Sequence, residues 1–289
     1  MVRSYETTIF PAVRSPFRLI MSAKLTVLIP CKDERANIRS CVESVRAVAD
    51  EILVADSGST DGTIDIAREL GCRIIEREYV CSADFKNWAI PQASHPWVLV
   101  VDADERMTPE LASEILKVLS SRNPKDGYRI AFRTFFLGHE LKYGGWSTGT
   151  SLRLFRRECR YQSVWVHADV VVPSGRVGRL RSKFLHYTYW SVEQYFDKFN
   201  RYTSHAARDL QTNGRQPSLI RMLTHPPLNF LKFYVLRGGF LDGVPGMLMA
   251  ALSAYYGFVK YAKLWANVHG YPRPEPEANR VSEASSKAA

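Results

Sequence analysis

The chain has 289 residues, a formal net charge of +10 and a hydrophobic fraction of 46%. This length and apolar content suffice for one large folded domain, or one and a half, and exclude a disordered or fibrous chain. The five cysteines include no C-x-x-C pair, which argues against a disulfide scaffold or a zinc site and is typical of a reduced cytosolic protein.

The excess positive charge lies in the C-terminal third of the chain. Residues 176–263 contain 13 Lys or Arg and 4 Asp or Glu, whereas residues 1–175 contain 23 and 22. A basic and aromatic segment attached to a neutral domain indicates an anionic surface as its partner, either a membrane or a nucleic acid.

Both ends of the chain differ from the rest. Residues 1–23 form a predicted N-terminal arm, which contains two prolines and no continuous apolar core, so a secretory signal is not expected. Residues 271–289 are rich in proline, glutamate and serine, and this composition predicts a disordered tail.

Strand and helix patterns alternate between residues 24 and 122. Short β-branched runs are typical of strands covered on both faces of a parallel sheet, and the intervening segments have one apolar face, as helices do. This alternation predicts an α/β fold with a mostly parallel sheet. The predicted strands are residues 25–30, 51–57, 72–75 and 97–101, and the predicted helices are residues 37–48, 63–70, 82–93 and the segment that Thr108 caps.

The pattern changes after residue 123. Residues 128–136, 150–157 and 167–173 resemble strands separated by glycine turns, and they predict an antiparallel extension of the sheet. Residues 191–270 are helical in pattern, aromatic and basic, so we expect a helical C-terminal region.

The helical region has the composition of a membrane-surface segment. No run of about eighteen apolar residues occurs, so a transmembrane helix is not predicted. Residues 218–240 instead mix Arg221, Lys232 and Arg237 with Leu, Phe and Tyr, which is typical of a helix lying in the membrane interface. The alternative is a helical cap on the protein's own core, which leaves the excess positive charge without a role.

Acidic residues follow three of the predicted strands. Glu34 follows the first strand, Asp56 ends the second, and Asp102 and Asp104 follow the fourth. Because the carboxyl ends of parallel strands share one edge of a sheet, we expect these carboxylates to converge. Close like charges repel and a divalent cation relieves the repulsion, so the D-x-D loop predicts a metal and phosphate site. The alternative is a set of solvated loop acids beside a helix N-terminus.

Three segments together resemble the nucleotide-sugar-binding half of family 2 glycosyltransferases of the GT-A fold. They are IPCKDERANI (29–38), VADSGSTDGT (54–63) and WVLVVDADERMTPEL (97–111). Over residues 24–264 the chain resembles the bacterial lipopolysaccharide core β-1,4-glucosyltransferase group. The resemblance implies a GT-A type, Rossmann-like domain at residues 24–190, with a nucleotide-sugar half (24–122) and an acceptor half (123–190), followed by a membrane-associating region at residues 191–270.

The resemblance also implies residues for the donor substrate, a UDP-sugar. Pro30 and Glu34 would border the uridine, and Asp56 would face the uracil ring. Asp102 would lie by the ribose and the metal, and Lys86 would add positive charge near the nucleotide. Carboxylates suit these positions because they accept hydrogen bonds from sugar hydroxyls and base N–H groups.

By the same resemblance, Asp104 would ligate a Mg²⁺ or Mn²⁺ ion that bridges the diphosphate. The family has His-Glu where this chain reads VWVHADVVV, so Ala168 stands at the expected position of the glutamate. Asp169 is the candidate catalytic base, and His167 is either a metal ligand or a core histidine. Because strand neighbours point to opposite faces, Asp169 needs a bulge or loop to face the site; otherwise another acid serves as the base.

Candidates for the acceptor side are Trp146, whose ring can stack on a sugar, and Arg153, whose guanidinium can bind a phosphate. Packing is the alternative role for both. Glu105 and Arg106 also match the family, and we expect them to form a structural salt bridge or to act on the acceptor side.

These expectations describe an inverting transferase that moves a hexose, glucose by resemblance, from a UDP-sugar to a lipid-linked acceptor such as the lipopolysaccharide inner core. The basic third would hold it on the inner, cytoplasmic face of the membrane. Alternatives are a transferase acting on a polyprenyl phosphate and a catalytically impaired nucleotide-sugar-binding relative. A nucleic-acid partner is not predicted, because acids at a binding edge repel phosphate.

Overall fold

The computed structural model describes residues 22–164 and 168–270. Most of the predicted N-terminal arm, the whole predicted tail and His167 lie outside the described residues. The structure therefore does not test the predictions made for them.

The described strands are β1 Leu25–Cys31, β2 Glu51–Asp56, β3 Arg73–Glu76, β4 Trp97–Val100, β5 Glu105–Arg106, β6 Gly127–Phe136, β7 His139–Leu141, β8 Thr150–Arg156, β9 Arg160–Tyr161, β10 Val170–Val171 and β11 Val177–Tyr189. Nine of them form the core sheet, in the strand order β3-β2-β1-β4-β8-β6-β11-β5, and β7 pairs with β6. A separate two-stranded ribbon joins β9 and β10.

Helices cover both faces of the parallel part of the sheet, in which β1 pairs with β2 and β4, and β2 pairs with β3. These helices are α1 Ile38–Val45, α2 Thr63–Glu69, α3 Ser82–Ala89 and α4 Pro109–Leu119. Val27 and Ile29 face a core built with α1, α2 and α4, whereas Leu28 faces a core built with α3. Every residue of β4 is fully buried, as its uninterrupted apolar sequence predicts.

Thr108 caps α4, as predicted, because its hydroxyl oxygen accepts a hydrogen bond from the Leu111 N–H at 3.2 Å. The cap fixes the point at which the chain leaves the D-x-D loop and enters the helix.

The second half of the sheet is mixed in direction. β8 is antiparallel to both β4 and β6, and β11 is parallel to β6. The short strand β5 follows the D-x-D loop and pairs antiparallel with β11, so that His186 lies opposite Glu105. One continuous sheet thus joins the two predicted halves of the domain. The predicted α/β fold class, with an antiparallel extension and a helical C-terminal region, is confirmed.

One prediction for the second half was wrong, and one strand was missed. Residues 167–173 were expected to form one strand, but within the described residues only Val170–Val171 is a strand, paired with Arg160–Tyr161 outside the main sheet. The long strand Val177–Tyr189 was not predicted. In its first half, exposed residues, mostly basic, alternate with partly or fully buried ones, so it lacks the apolar run that marks the other strands.

The C-terminal region consists of α5 Val192–Thr212, α6 Leu219–Phe230 and α7 Gly243–His269, with a π-helical segment at Leu231–Leu236 and a 3-10 turn at Gly239–Asp242. Helix α5 packs through Tyr195 and Phe199 against Phe136, Leu141 and Met249, and so attaches the region to the sheet.

Helix α6 is different, because none of its residues is buried. No single described helix combines the length and apolar composition needed to cross a bilayer; Leu219–Leu236 and Gly239–His269, which meet at a 70° bend, satisfy both criteria only when taken together.

Candidate active site

The D-x-D loop leaves the carboxyl end of β4 and closes on itself. The Glu105 N–H donates to the Asp102 carbonyl oxygen at 2.8 Å, and the Asp102 N–H donates to Glu105 Oε2 at 3.0 Å. Glu105 is fully buried beneath the loop. This turn presents the side chains of Asp102 and Asp104 from the sheet edge.

Asp102 is held between two cations that come from separate elements. Its Oδ1 lies 3.0 Å from Lys86 Nζ on α3, and its Oδ2 lies 2.7 Å from Arg153 Nη2 on β8. Burial opposes ionisation of Asp102, but Arg153 and Lys86 outweigh it and hold the pKa of this carboxyl well below its usual range. Asp102 is therefore ionised and forms ion pairs with both Lys86 and Arg153.

Arg153 also binds Glu105, with Nη2 at 2.6 Å from Oε1. The expected structural salt bridge of Glu105 is thus present, with Arg153 as its partner. Burial raises the pKa of Glu105, and Arg153 opposes that shift. The Nε of Arg153 is buried without a hydrogen-bond partner among the described residues, so one N–H of this guanidinium is unsatisfied.

Asp104 faces the opposite side of the loop and contacts the C-terminal region. Its Oδ2 lies 3.0 Å from Lys198 Nζ on α5, and its Oδ1 lies 3.5 Å from His186 Nε2 on β11. Lys198 and His186 overcome the effect of burial and hold the pKa of Asp104 well below its usual range. Burial opposes charging of His186, but Asp104 outweighs it and raises the pKa of the imidazole.

Glu34 converges on the same ammonium, as the sheet-edge argument predicted. Its Oε1 lies 3.7 Å from Lys198 Nζ, and its Oε2 accepts a hydrogen bond from Asn37 at 2.8 Å. Burial raises the pKa of Glu34, and Lys198 opposes that shift. The first and fourth parallel strands therefore do bring their acids together.

The Asp56 carboxylate accepts hydrogen bonds mainly from residues of its own loop. Its Oδ2 accepts hydrogen bonds from the Gly58 and Ser59 N–H groups, both at 2.8 Å, and its Oδ1 accepts from the Ser59 hydroxyl. Gly58 adopts φ +91°, which lets the backbone fold back onto the carboxylate. Asp56 also lines a hollow of about 300 Å³ at the end of β2. Its predicted place beside the uracil ring of the donor stays a prediction.

A cavity of about 680 Å³ lies beside the D-x-D loop, between the sheet and the C-terminal helices. Four residues singled out from the sequence line it: Lys86, Trp146, Arg153 and Asp169. The Trp146 ring packs against Phe233, with ring centroids 5.5 Å apart. The cavity is large enough for a saccharide, and Arg153 and Lys86 connect its wall to Asp102 of the D-x-D loop.

Asp169 lies in the loop before β10, which answers the question of its orientation: a loop rather than a strand brings it to the cavity wall. It forms an ion pair with Arg129 on β6. Its role as the base remains a prediction. Ala168 also lines the cavity, and His167 is outside the described residues.

Asp104 is the side chain of this loop that suits a divalent cation. Within residues 22–164 and 168–270, no three His, Cys, Asp or Glu side chains are grouped closely enough to form a complete metal site. A carboxylate nevertheless fits Mg²⁺ or Mn²⁺, because such ions prefer oxygen ligands and complete their shell with phosphate and water. His186 would have to be neutral to join as a ligand, and Lys198 Nζ now contacts the Oδ2 atom that a metal ion would share.

Comparison with known proteins places the chain in a family. The model described as "Glycosyl transferase family 2" matches residues 26–158. The lipopolysaccharide core biosynthesis glycosyltransferase LpsC of Rhizobium meliloti (strain 1021) is 31% identical over 255 residues, which cover 86% of this chain and 94% of that protein. This chain belongs to glycosyl transferase family 2. An uncharacterized glycosyltransferase of Rickettsia typhi (strain ATCC VR-144 / Wilmington) is 30% identical over 253 residues, covering 83% of this chain and 86% of its own length.

Two solved structures are more distant. TarS 1-349 of S. aureus, crystallised with UDP, aligns with 87% of this chain and 93% of its own at 14% identity and a TM-score of 0.45. Glucosyl-3-phosphoglycerate synthase of Mycobacterium tuberculosis aligns over 39% of this chain at 23% identity and a TM-score of 0.31, and the match spans 44% of that enzyme. Neither similarity is close enough to carry a residue's role over to this family 2 chain.

Sequence reasoning missed two residues of this glycosyltransferase site. Lys198 lies in a helical pattern 94 positions from Asp104, and its spacing gives no signal of the contact. His186 stands in the segment FLHYTY (184–189), which lies within the resembling range of residues 24–264 but received no role. The pairing of β5 with β11 places it, and β11 was not predicted as a strand.

Proposed function

We propose that this family 2 glycosyltransferase moves a hexose, with inversion, from a UDP-sugar to a lipid-linked acceptor of the lipopolysaccharide core type. The position of Arg153 carries the proposal. Its guanidinium lies 2.7 Å from Asp102 in the D-x-D loop and also lines the 680 Å³ cavity that Asp169 borders. A donor at the loop and an acceptor in the cavity would therefore meet at Arg153.

On the donor side, the acidic and the basic residues would contact different parts of the UDP-sugar. Glu34 and Asp102 offer carboxylate oxygens to the ribose hydroxyls, and Lys86 and Arg153 bring positive charge towards the diphosphate. A divalent cation bound by Asp104 would add charge neutralisation of the departing diphosphate.

The acceptor side needs a base. Asp169 takes the proton of the acceptor hydroxyl as that oxygen attacks the anomeric carbon. The bond between the anomeric carbon and the phosphate oxygen breaks, its electron pair leaves with UDP, and the configuration at the anomeric carbon inverts. Arg129 holds Asp169 at the cavity wall.

We also propose that α6, the following π-helical segment and the start of α7 rest on the cytoplasmic face of the membrane. This surface exposes large apolar side chains beside basic ones, as interfacial helices do. The name of LpsC, a lipopolysaccharide core biosynthesis enzyme, fits an acceptor located there. The exposed apolar residues include Leu219, Ile220, Leu223, Leu228, Leu236, Phe240, Leu241 and Val244.

Incubation of the purified full-length chain with a panel of UDP-sugars tests the proposal. UDP release is followed with and without Mn²⁺ and with a lipid extract as the acceptor. We expect one UDP-hexose to give acceptor-dependent UDP release. Binding of UDP with no release from any donor would favour a catalytically impaired relative, for which the alanine at position 168 gives a specific reason.

A further inference from the structure

The cavity has a second polar end, formed by the C-terminal helices. His205 of α5, Asn229 of α6 and Tyr256 and Lys260 of α7 line it there. Between this end and Arg153, the wall is mainly apolar and aromatic. The apolar lining residues are Phe136, Leu141, Trp146, Leu152, Tyr195, Phe199, Phe233 and Met249.

Three of the charged side chains that line the cavity have ion-pair partners. Lys86 and Arg153 pair with Asp102, and Asp169 pairs with Arg129. Among the described residues, no carboxylate forms an ion pair with Lys260; its ammonium lies over the ring of its neighbour Tyr261, 5.0 Å from the centroid. In the described part of the chain, the Lys260 ammonium at the helical end of the cavity is therefore without a carboxylate partner.

Partial burial of an ammonium without a counter-charge raises the free energy of the folded protein. Burial lowers the pKa of Lys260, and no nearby acid offsets the shift. The neighbouring His225 has a pKa lowered by burial and by Lys260 and Arg221, which shows that this part of the helical region is electropositive. An anion bound at Lys260 would remove this cost, which a neutral ligand would leave in place.

We propose that Lys260 marks an anion subsite at the helical end of the cavity, which takes an amphiphile carrying a phosphate-class group. The proposal depends on the proposed function in one respect: the natural ligand of the subsite would be the acceptor of the glycosyl transfer. The apolar middle of the cavity matches the apolar body of such a molecule, and Lys260 matches its anionic group. Asn229 and Tyr256 supply further polar groups at the same end.

Binding of dodecyl phosphate to the full-length chain, measured by calorimetry without donor, tests the subsite. Dodecyl maltoside is the uncharged probe, and inorganic phosphate is the anion without an apolar body. We expect Lys260→Met to weaken dodecyl phosphate binding about tenfold, the size of one charge-assisted interaction, and to leave dodecyl maltoside binding unchanged. Lys260→Arg keeps the charge and should stay within about threefold of the wild type.

The matched control is Lys232→Met, since Lys232 is exposed in the same helical region and is absent from the cavity lining within the described residues. An equal loss in Lys232→Met, or no loss in Lys260→Met, would overturn the subsite, and equal affinity for inorganic and dodecyl phosphate would contradict the amphiphile. UDP binding, measured on the same variants, reports the donor side separately. A failure of the subsite is thus distinguishable from a failure of the proposed transferase.

Discussion

Lys198 Nζ lies 3.0 Å from Asp104 Oδ2, although the two residues are 94 positions apart in the sequence. The same ammonium lies 3.7 Å from Glu34. A residue of the C-terminal helical region therefore neutralises acids that come from two strands of the parallel sheet. A metal ion bound at Asp104 Oδ2 would compete with this ammonium, which connects the D-x-D loop to α5.

Replacement of Lys198 by methionine tests this connection. Removing one partner of a largely buried ion pair costs up to about 3–5 kcal/mol, and partial hydration places this pair at or below the lower end. We expect Lys198→Met to lower the melting temperature without metal and to bind Mn²⁺ more tightly, as measured by electron paramagnetic resonance. Lys117→Met, an exposed lysine on α4, is the control and should change neither. Unchanged Mn²⁺ affinity in Lys198→Met would show that the ammonium does not compete with the metal.

The base assignment predicts a selective loss of turnover in Asp169→Asn. General-base catalysis contributes about 10²–10⁴-fold, so kcat should fall by at least about a hundredfold. The affinity for UDP should stay at the wild-type value, because Asp169 lies on the cavity wall and makes no contact with the D-x-D loop among the described contacts. A kcat within about threefold of the wild type would assign the base to another group.

The lowered pKa of Glu51 predicts how the stability of the fold depends on pH. Its carboxylate accepts hydrogen bonds from Thr26, Ser94 and Arg73, and so connects β2 to β1, to β3 and to the turn before β4. Burial opposes ionisation, but these hydrogen bonds outweigh it and lower the pKa of Glu51 to about 2. Because the folded-state pKa is depressed, this stabilisation is complete above the ordinary pKa of about 4.5 and is lost as the pH falls towards 2.

Glu51→Gln should therefore lower the free energy of unfolding at pH 7 by about 1–2 kcal/mol, with partial exposure taken into account, and by much less near pH 2. Urea unfolding at several pH values measures this difference. The control is Glu69→Gln, since the side chain of Glu69 is 66% exposed and its ion pair with Arg39 is at the surface. A loss in Glu51→Gln that is the same at pH 7 and pH 2 would contradict the linkage.

The membrane-surface proposal predicts that exposed aliphatic side chains of the helical region drive binding to vesicles. Leu219, Ile220 and Leu236 are 66%, 75% and 75% exposed, so their replacement by serine should leave the melting temperature nearly unchanged. We expect the triple variant to lose most of its co-sedimentation with phosphatidylglycerol vesicles. Val171→Ser, at an apolar position on β10 that is 51% exposed, is the control. Full co-sedimentation of the triple variant would argue against this surface.

The parallel half of the sheet was predictable because its strands are buried on both faces and therefore read as short apolar runs. Trp97–Val100 is fully buried, and the strand ends carry the acids that converge. The strand Val177–Tyr189 escaped prediction because its first half is solvated on alternate positions. Residues 167–173 looked like a strand by composition, yet the described part of that segment forms only a short ribbon.

Within the site, the sequence predicted the acids better than the cations. Acids cluster at strand ends, where position in the pattern indicates their location. The partners of Asp104 come from a distant helix and from an unpredicted strand, so only the folded chain shows them. Arg153 was singled out for the acceptor side, and its ion pairs with Asp102 and Glu105 became visible only in the structure.

The most direct test of the account compares UDP release by the wild type, Asp104→Ala and the control Glu69→Ala. Glu69 lies on α2 with its side chain 66% exposed and, within the described residues, is absent from the lining of the hollow beside Asp56, so it should be dispensable for catalysis. With a UDP-hexose, the lipid acceptor and Mn²⁺, we expect Asp104→Ala to lose at least about a hundredfold in rate, as removal of a group that stabilises the leaving diphosphate implies. Wild-type rates in Asp104→Ala, together with no dependence on Mn²⁺, would contradict the placement of the donor diphosphate at the D-x-D loop.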